Sequence, residues 1–434
     1  MFTKVKVIKK GMQNQLFLLN FYKLLSNVAT KLVGAFIPII ILDATGSVAL
    51  ACISVVASYL IRLAFSVCFK KLYEHCPQLI LLIRLAPFVL YTLSIFLMET
   101  NLWLGIIGVV LFYGISESFK CMPIEILYNY ASTTEESGNS LGVTRLLEQA
   151  GVLIALVVGG VMLDVNKNLI LIISVVLYLI SVVPLLIYYI KGRKLKGFNT
   201  DAVSNAVITF SKDPEMIENA RQISKKMLLG YWFVYFIFSF MDIINTAFVI
   251  HLYLTFPSFG MAGYVNALFN AMFGIGCFLF GLLDNKKETT PVLIVACIVC
   301  MIGVACLIFV TNTALLFVVT GLTGLFYGCI STFCLRRLLP KSRIMGISNE
   351  SLYVREIASN MAVIVPMLLG AVGSMIPVLV LVSAGIGASA YLIPANEERS
   401  RRLLIDFLQK HEDAMSAREN NKKTTKKLKS IKEK

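Results

Sequence analysis

Leu111 to Lys120 reads LFYGISESFK, and 214 residues further on Leu325 opens LFYGCIS. One such match in apolar sequence means little, but two more follow in chain order. Ser140, Leu141, Val143, Val152 and Gly159 are matched by Ser351, Leu352, Val354, Val363 and Gly370 at an offset of 211. Gly34, Ala35 and Phe36 stand 212 residues before Thr246, Ala247 and Phe248. Three echoes at nearly one spacing imply a chain built from two copies of one design.

The copies are made of membrane-length segments. Of 434 residues, 57% are apolar and 15% charged, where about 25% charged is usual for a soluble chain; the mean hydropathy is +0.79. A span needs about 20 apolar residues. In the first copy, runs of that length fall near 16–42, 47–69, 78–98, 102–128, 141–163 and 168–190. Six more fall near 228–253, 259–283, 290–310, 313–335, 344–371 and 374–394. The first run follows the basic residues Lys4, Lys6, Lys9 and Lys10 but is too long for a signal peptide and contains Lys23 and Lys31, so it reads as a retained helix. Six spans return the chain to the face it left, which gives both copies the same orientation. The expected fold is all-α and integral to the membrane, with twelve transmembrane helices in two pseudo-symmetric six-helix bundles. Its parts are the bundle 1–190, a cytosolic linker 191–227, the bundle 228–395 and a basic cytosolic tail 396–434.

The net charge of +15 follows membrane topology and not nucleic-acid binding. With the N-terminus inside, the inward segments carry 32 of the 40 Lys and Arg residues, whereas the outward loops carry Lys167 alone. Those outward loops, DATGS, ETN, DVNKN, TFPSFG, TNT and GSM, barely turn the chain. Both termini are expected in the cytoplasm, in a plasma membrane. In the linker, SKDPEMIENARQISKK reads as a helix opening at Asp213 and Pro214. After residue 395 the tail begins with a helical, mixed-charge stretch, and its ending NNKKTTKKLKSIKEK reads as solvated and disordered.

Several function classes are excluded. The ten cysteines, mostly within apolar runs, lack the spacing of a disulfide framework, and the pair Cys297 and Cys300 reads as small residues packing a helix. Only His75, His251 and His411 occur, far apart, without HExxH, GxSxG or a phosphate loop. No enzyme, metal or cofactor is expected, and without a filter loop no channel either.

With its two six-helix halves and central linker, the chain resembles the major facilitator superfamily of secondary transporters from about residue 15 to 395. Two motifs add to this: Arg145 ahead of GVLIALVVGGVMLD in the fifth span, and GLLD at Gly281 to Asp284 followed by Lys286 and Lys287. The first-half counterpart of that loop, FKKLYEHCPQ, departs from the family's pattern by lacking the glycine and aspartate. The resemblance implies a monomeric transporter that moves a small solute by alternating access, with protons as the expected coupling ion. It also implies a central cavity lined by the first, fourth, seventh and tenth spans.

On those four spans lie Asn27, Lys31, Tyr113, Glu117, Asp242, Asn245 and Tyr327. A charge at mid-span costs roughly 2.5 to 3.5 kcal/mol on insertion scales, so each needs a partner, water or a function. Asn27 and Lys31 share a helical face, as do Glu117 with Lys120 and Asp242 with Asn245. The candidate substrate contacts are Asn27, Lys31, Tyr113, Glu117, Asn245 and Tyr327, and the candidate proton carriers Asp242 and Glu117. Three arrangements fit: a Lys31 to Asp242 pair between the halves, remade during transport; a static Lys31 to Glu117 pair within one half; or substrate contact without pairing. Arg145 with Glu148, and Arg355 with Glu356, read as gate or helix-end pairs, with Asp284 a further gate residue. Arg62 and Arg84 are expected to extend toward the cytoplasmic surface. The embedded cations of the first half point to an anionic or zwitterionic solute. The apolar, methionine-bearing second half leaves a drug or lipid exporter as an alternative, and a transport-inactive sensor or scaffold as another.

Overall fold

Backbone polar groups find no water in a bilayer, so a spanning chain must close its hydrogen bonds within itself. The computed structural model describes residues 2–131, 139–194, 214–241, 243–283, 290–344 and 348–432, and every regular element among them is helical. The first copy contains α1 (Phe2–Gly34), α2 (Ile37–Thr45), α3 (Val48–Cys68), α4 (Lys70–His75), α5 (Pro77–Ile83), α6 (Leu85–Leu97), α7 (Leu102–Ala131), α8 (Asn139–Val165) and α9 (Lys167–Lys194). The second contains α10 (Pro214–Phe238), α11 (Val249–Thr255), α12 (Phe259–Leu283), α13 (Thr290–Leu307), α14 (Thr313–Ile344), α15 (Ser348–Gly370) and α16 (Ile376–Lys432). Among the described residues, eleven helical segments are long and apolar enough to cross a membrane, and Ile244–Thr255 is a shorter apolar helix.

The short loops stop one helix and start the next. Gly46, at φ 64°, closes α2 in the left-handed region that glycine enters without strain. Side-chain oxygens of Ser47, Asn101, Asn166, Ser258, Asn312 and Ser374 accept backbone N–H bonds from Leu50, Leu104, Leu169, Met261, Leu315 and Ile376. Each satisfies a donor that the first turn leaves without an intrahelical partner.

Two spans break where the sequence supplies a reason. Pro38 opens α2 just after the chain leaves α1. Pro87 has no N–H to offer the carbonyl four residues back, and α5 ends there, at Ile83. The seventh span, expected as one run over 228–253, departs further. Its helix ends at Phe238, passes through a 3-10 turn over Ser239–Met241 and resumes as a π-helical turn over Ile244–Phe248 before α11. The linker helix opens at Pro214 as expected and continues into that span. The start of the tail is helical as expected, but its lysine-rich end is a correction: α16 runs to Lys432 where disorder was expected, its residues extending an existing helix.

The apolar side chains gather in buried clusters. One apolar cluster is drawn mainly from the first copy, including Ala29, Phe88, Leu156 and Tyr178. A larger one, with Tyr231, Phe269, Phe333 and Val382, is drawn mainly from the second. The copies meet along α8 with α12 and α3 with α15. At the first seam a Cβ on Gly160 would stand 2.6 Å from the Phe259 carbonyl oxygen, so glycine sets how closely these helices approach. Outward faces carry exposed apolar side chains such as Trp103, Ile107, Phe233 and Ile302, a surface suited to lipid.

Candidate functional site

Two adjoining cavities of 240 and 350 Å³ follow the seam and share Lys31, Arg62, Glu117, Asn245 and Ser359 in their walls. On α1, Lys23, Asn27, Lys31 and Gly34 recur every three or four residues and so present one face. Asn27 lines the larger cavity and Gly34 the smaller, while Lys31 lines both.

Glu117, on α7, meets Arg84 at 3.1 Å and Lys120 at 3.8 Å. The Lys31 to Glu117 pair is not formed. Among the described residues no carboxylate stands within ion-pair distance of Lys31, while Asp242 lies outside the described residues. Arg84 corrects another expectation, since its side chain is 0% exposed and does not reach the surface. The break ahead of Pro87 places it inward, where it donates to the Ser116 carbonyl at 2.9 Å and the Thr30 hydroxyl at 3.0 Å and lies over the Tyr178 ring. This satisfies a guanidinium that lipid cannot solvate.

Arg62 does not extend to the surface either. Its Nη2 and Nε contact Glu356 Oε1 at 2.6 and 2.7 Å, joining α3 to α15 across the seam. Arg355 contacts Glu125 at 3.3 Å, joining α15 to α7. The expected Arg355 to Glu356 pair is thus replaced by two pairs between the copies, because neighbours in sequence project from different sides of a helix. Glu148 meets Lys23 at 3.0 Å and accepts from Asn27 Nδ2 at 2.6 Å. Its proposed partner Arg145 has a side chain outside the description, as is Asp284 entirely.

The second copy contributes amides and aromatics. Asn270 Nδ2 donates to Asn266 Oδ1 at 2.8 Å and to Asn245 Oδ1 at 3.4 Å. Tyr327 lines the larger cavity and packs on Phe273 at 5.0 Å, while Tyr113 lines the smaller and meets Tyr91 edge-on. Sequence reasoning missed Asn266, Asn270, Glu125 and the role of Arg84. The four-residue spacing of the two asparagines in an otherwise apolar helix was the available signal.

Away from the cavities, at the end carrying the short loops, the copies are tied again. Asp164, ending α8, accepts from the backbone N–H groups of Phe259 and Gly260 at 3.0 and 2.8 Å and from the Ser258 hydroxyl at 2.9 Å. It therefore caps α12 from the other copy. Tyr253 donates to Asp43 at 2.6 Å.

Among the described residues no group of three or more His, Cys, Asp or Glu side chains is placed to hold a metal. Cys297 and Cys300 are buried, and the Cys300 thiol lies 3.5 Å from the Thr323 carbonyl oxygen. The arrangement offers a polar, hydrogen-bonding chamber between two sets of helices. A family profile described as Major Facilitator Superfamily matches residues 19–354. No curated protein matches the chain.

Proposed function

Because the chain belongs to the major facilitator superfamily, we propose that this membrane transporter moves a small solute by alternating access, driven by protons. The carrying observation is the polar chamber walled by both copies, with ion pairs between them at Arg62 and Glu356 and at Arg355 and Glu125. Charged side chains kept at membrane depth need a use that repays roughly 2.5 to 3.5 kcal/mol apiece.

On this reading the seventh span is the later part of the Pro214–Phe238 helix, the interruption and Val249–Thr255, which brings the count to twelve. The halves are 1–190 and 228–395, joined by the linker 191–227, with the tail at 396–434. The two apolar clusters support that division. The distribution of Lys and Arg supports cytoplasmic termini in a plasma membrane. Rocking of one half on the other breaks the Arg62 and Arg355 pairs while the Asp164 cap holds the opposite end, and then the reverse. Lys31, Asn27, Glu117, Asn245, Tyr113 and Tyr327 serve as substrate contacts, and Asp242 as the proton carrier.

The test is uptake by proteoliposomes under an imposed proton gradient. The native protein should accumulate substrate, and Asp242→Asn should retain exchange but lose accumulation. An Asp242→Asn protein that still accumulates substrate in a pH-dependent way would sink the assignment.

A further inference from the structure

The chamber's two walls differ in chemistry. Five Lys or Arg side chains and four Glu line it. Each of those Glu already has its own Lys or Arg partner. With Arg84 behind Glu117 the cations number six, so the site keeps a net positive charge even when Asp242 is counted as a fifth carboxylate. A cationic or zwitterionic solute therefore finds no uncommitted carboxylate among the described residues to receive its ammonium, whereas an anion finds Lys31.

The opposite wall carries the amides. The Asn270 amide nitrogen is committed to the side-chain oxygens of Asn266 and Asn245 and to the Asn266 carbonyl oxygen. That leaves the Asn245 and Asn266 Nδ2 groups and Asn270 Oδ1 without protein partners among the described residues. Asn245 lines both cavities, Asn266 the smaller and Asn270 the larger, which places these groups at the chamber wall. Two donor groups and one acceptor suit hydroxyls, which both donate and accept. A simple aliphatic acid or a lipid tail would leave these groups unpaired, and unpaired polar groups in a closed site are costly. The two cavities, 240 and 350 Å³, compare with about 300 to 1,000 Å³ for small-molecule sites.

Resting on the transporter reading above, we propose that the solute is a small hydroxylated monoanion, a hydroxycarboxylate. Its carboxylate lies on Lys31 and its hydroxyls lie on Asn245, Asn266 and Asn270. This decides between the solute classes that charge in the sequence leaves open.

The test is counterflow in proteoliposomes of the full chain with labelled probes. Lactate, threonate and gluconate are hydroxylated monoanions of increasing length; hexanoate keeps the charge without hydroxyls, glucose the hydroxyls without charge, and tetraethylammonium reverses the charge. At least one of the first three should drive counterflow, with hexanoate, glucose and tetraethylammonium at least tenfold weaker. Asn245→Leu and Lys31→Gln should each weaken its apparent affinity at least tenfold. Should either variant fail to fold, the comparison of probes on the native protein decides alone. Hexanoate, glucose or tetraethylammonium moving as well as any hydroxycarboxylate would overturn the inference and leave the transporter standing. A folded protein that moves none of these probes, nor amino acids, nucleosides or amphiphiles, would overturn both.

Discussion

An arginine keeps its proton in any protein, so inside a membrane it must be solvated by side chains, and Arg84 is. Its partners reach it from three other helices: Thr30 from α1, Ser116 and Glu117 from α7, and Tyr178 from α9. Removing one member of a buried, hydrogen-bonded pair typically costs about 3 to 5 kcal/mol, mostly from the charge left behind. Arg84→Ala should therefore lower the melting temperature of the purified protein sharply, and Glu117→Gln added to it should recover part of the loss. Equal melting of the single variant and the native protein would remove Arg84 from the framework of the site. Depth along a helix is legible in sequence, and it placed Lys31 and Glu117 within spans correctly. Partners are not, because which helix lies opposite is decided by packing; hence Arg84 was misread as a surface-seeking arginine, and the contact of Lys23 with Glu148 was not foreseen.

Among the helices, the ends at the short loops were legible to within a few residues. A long apolar run admits no other structure in a bilayer, and the loop residues that cap the helices are good cap formers. The interruption at Ser239–Phe248 was not legible, since hydropathy runs through it and neither proline nor glycine marks it. Two features of the seam between α8 and α12 carry predictions. Gly160→Val must push its helix away from Phe259, so it should slow transport and lower the melting temperature; unchanged values for both would show that the close approach is not needed. Losing a capping side chain costs about 1 kcal/mol, which is about a fivefold shift in an equilibrium. Spin labels at the exposed positions Val165 and Leu254 should therefore report a larger widely separated population in Asp164→Ala than in the native protein. An unaltered distance distribution would mean that the cap does not hold this end closed.

For the whole molecule, the class of membrane-spanning helices and the family were the most legible features, and the pairing across the seam the least. The Arg62 to Glu356 and Arg355 to Glu125 contacts join residues far apart in the chain, and no spacing rule connects them. Contacting residues in one ion pair show coupling of about 0.5 to 3 kcal/mol in double-mutant cycles. Arg62→Ala and Glu356→Ala should each change transport, and the double variant should do less harm than their sum. Simple additivity in the rate would remove the pair from the transport cycle.

The repeat also leaves a legacy in the walls of the chamber. On the proposed two-copy reading a pseudo-twofold axis relates the backbones, yet the first copy brings Lys31 and the second brings Asn245, Asn266 and Asn270. Had both walls kept the same side chains, a bound molecule and the same molecule turned end over end would fit alike. With an ammonium from one copy, these amides from the other, and Tyr113 in the smaller cavity and Tyr327 in the larger, the attachment points are no longer equivalent. A chamber of that kind holds an unsymmetrical solute one way round, so which end of the molecule leads becomes a property that the protein can read.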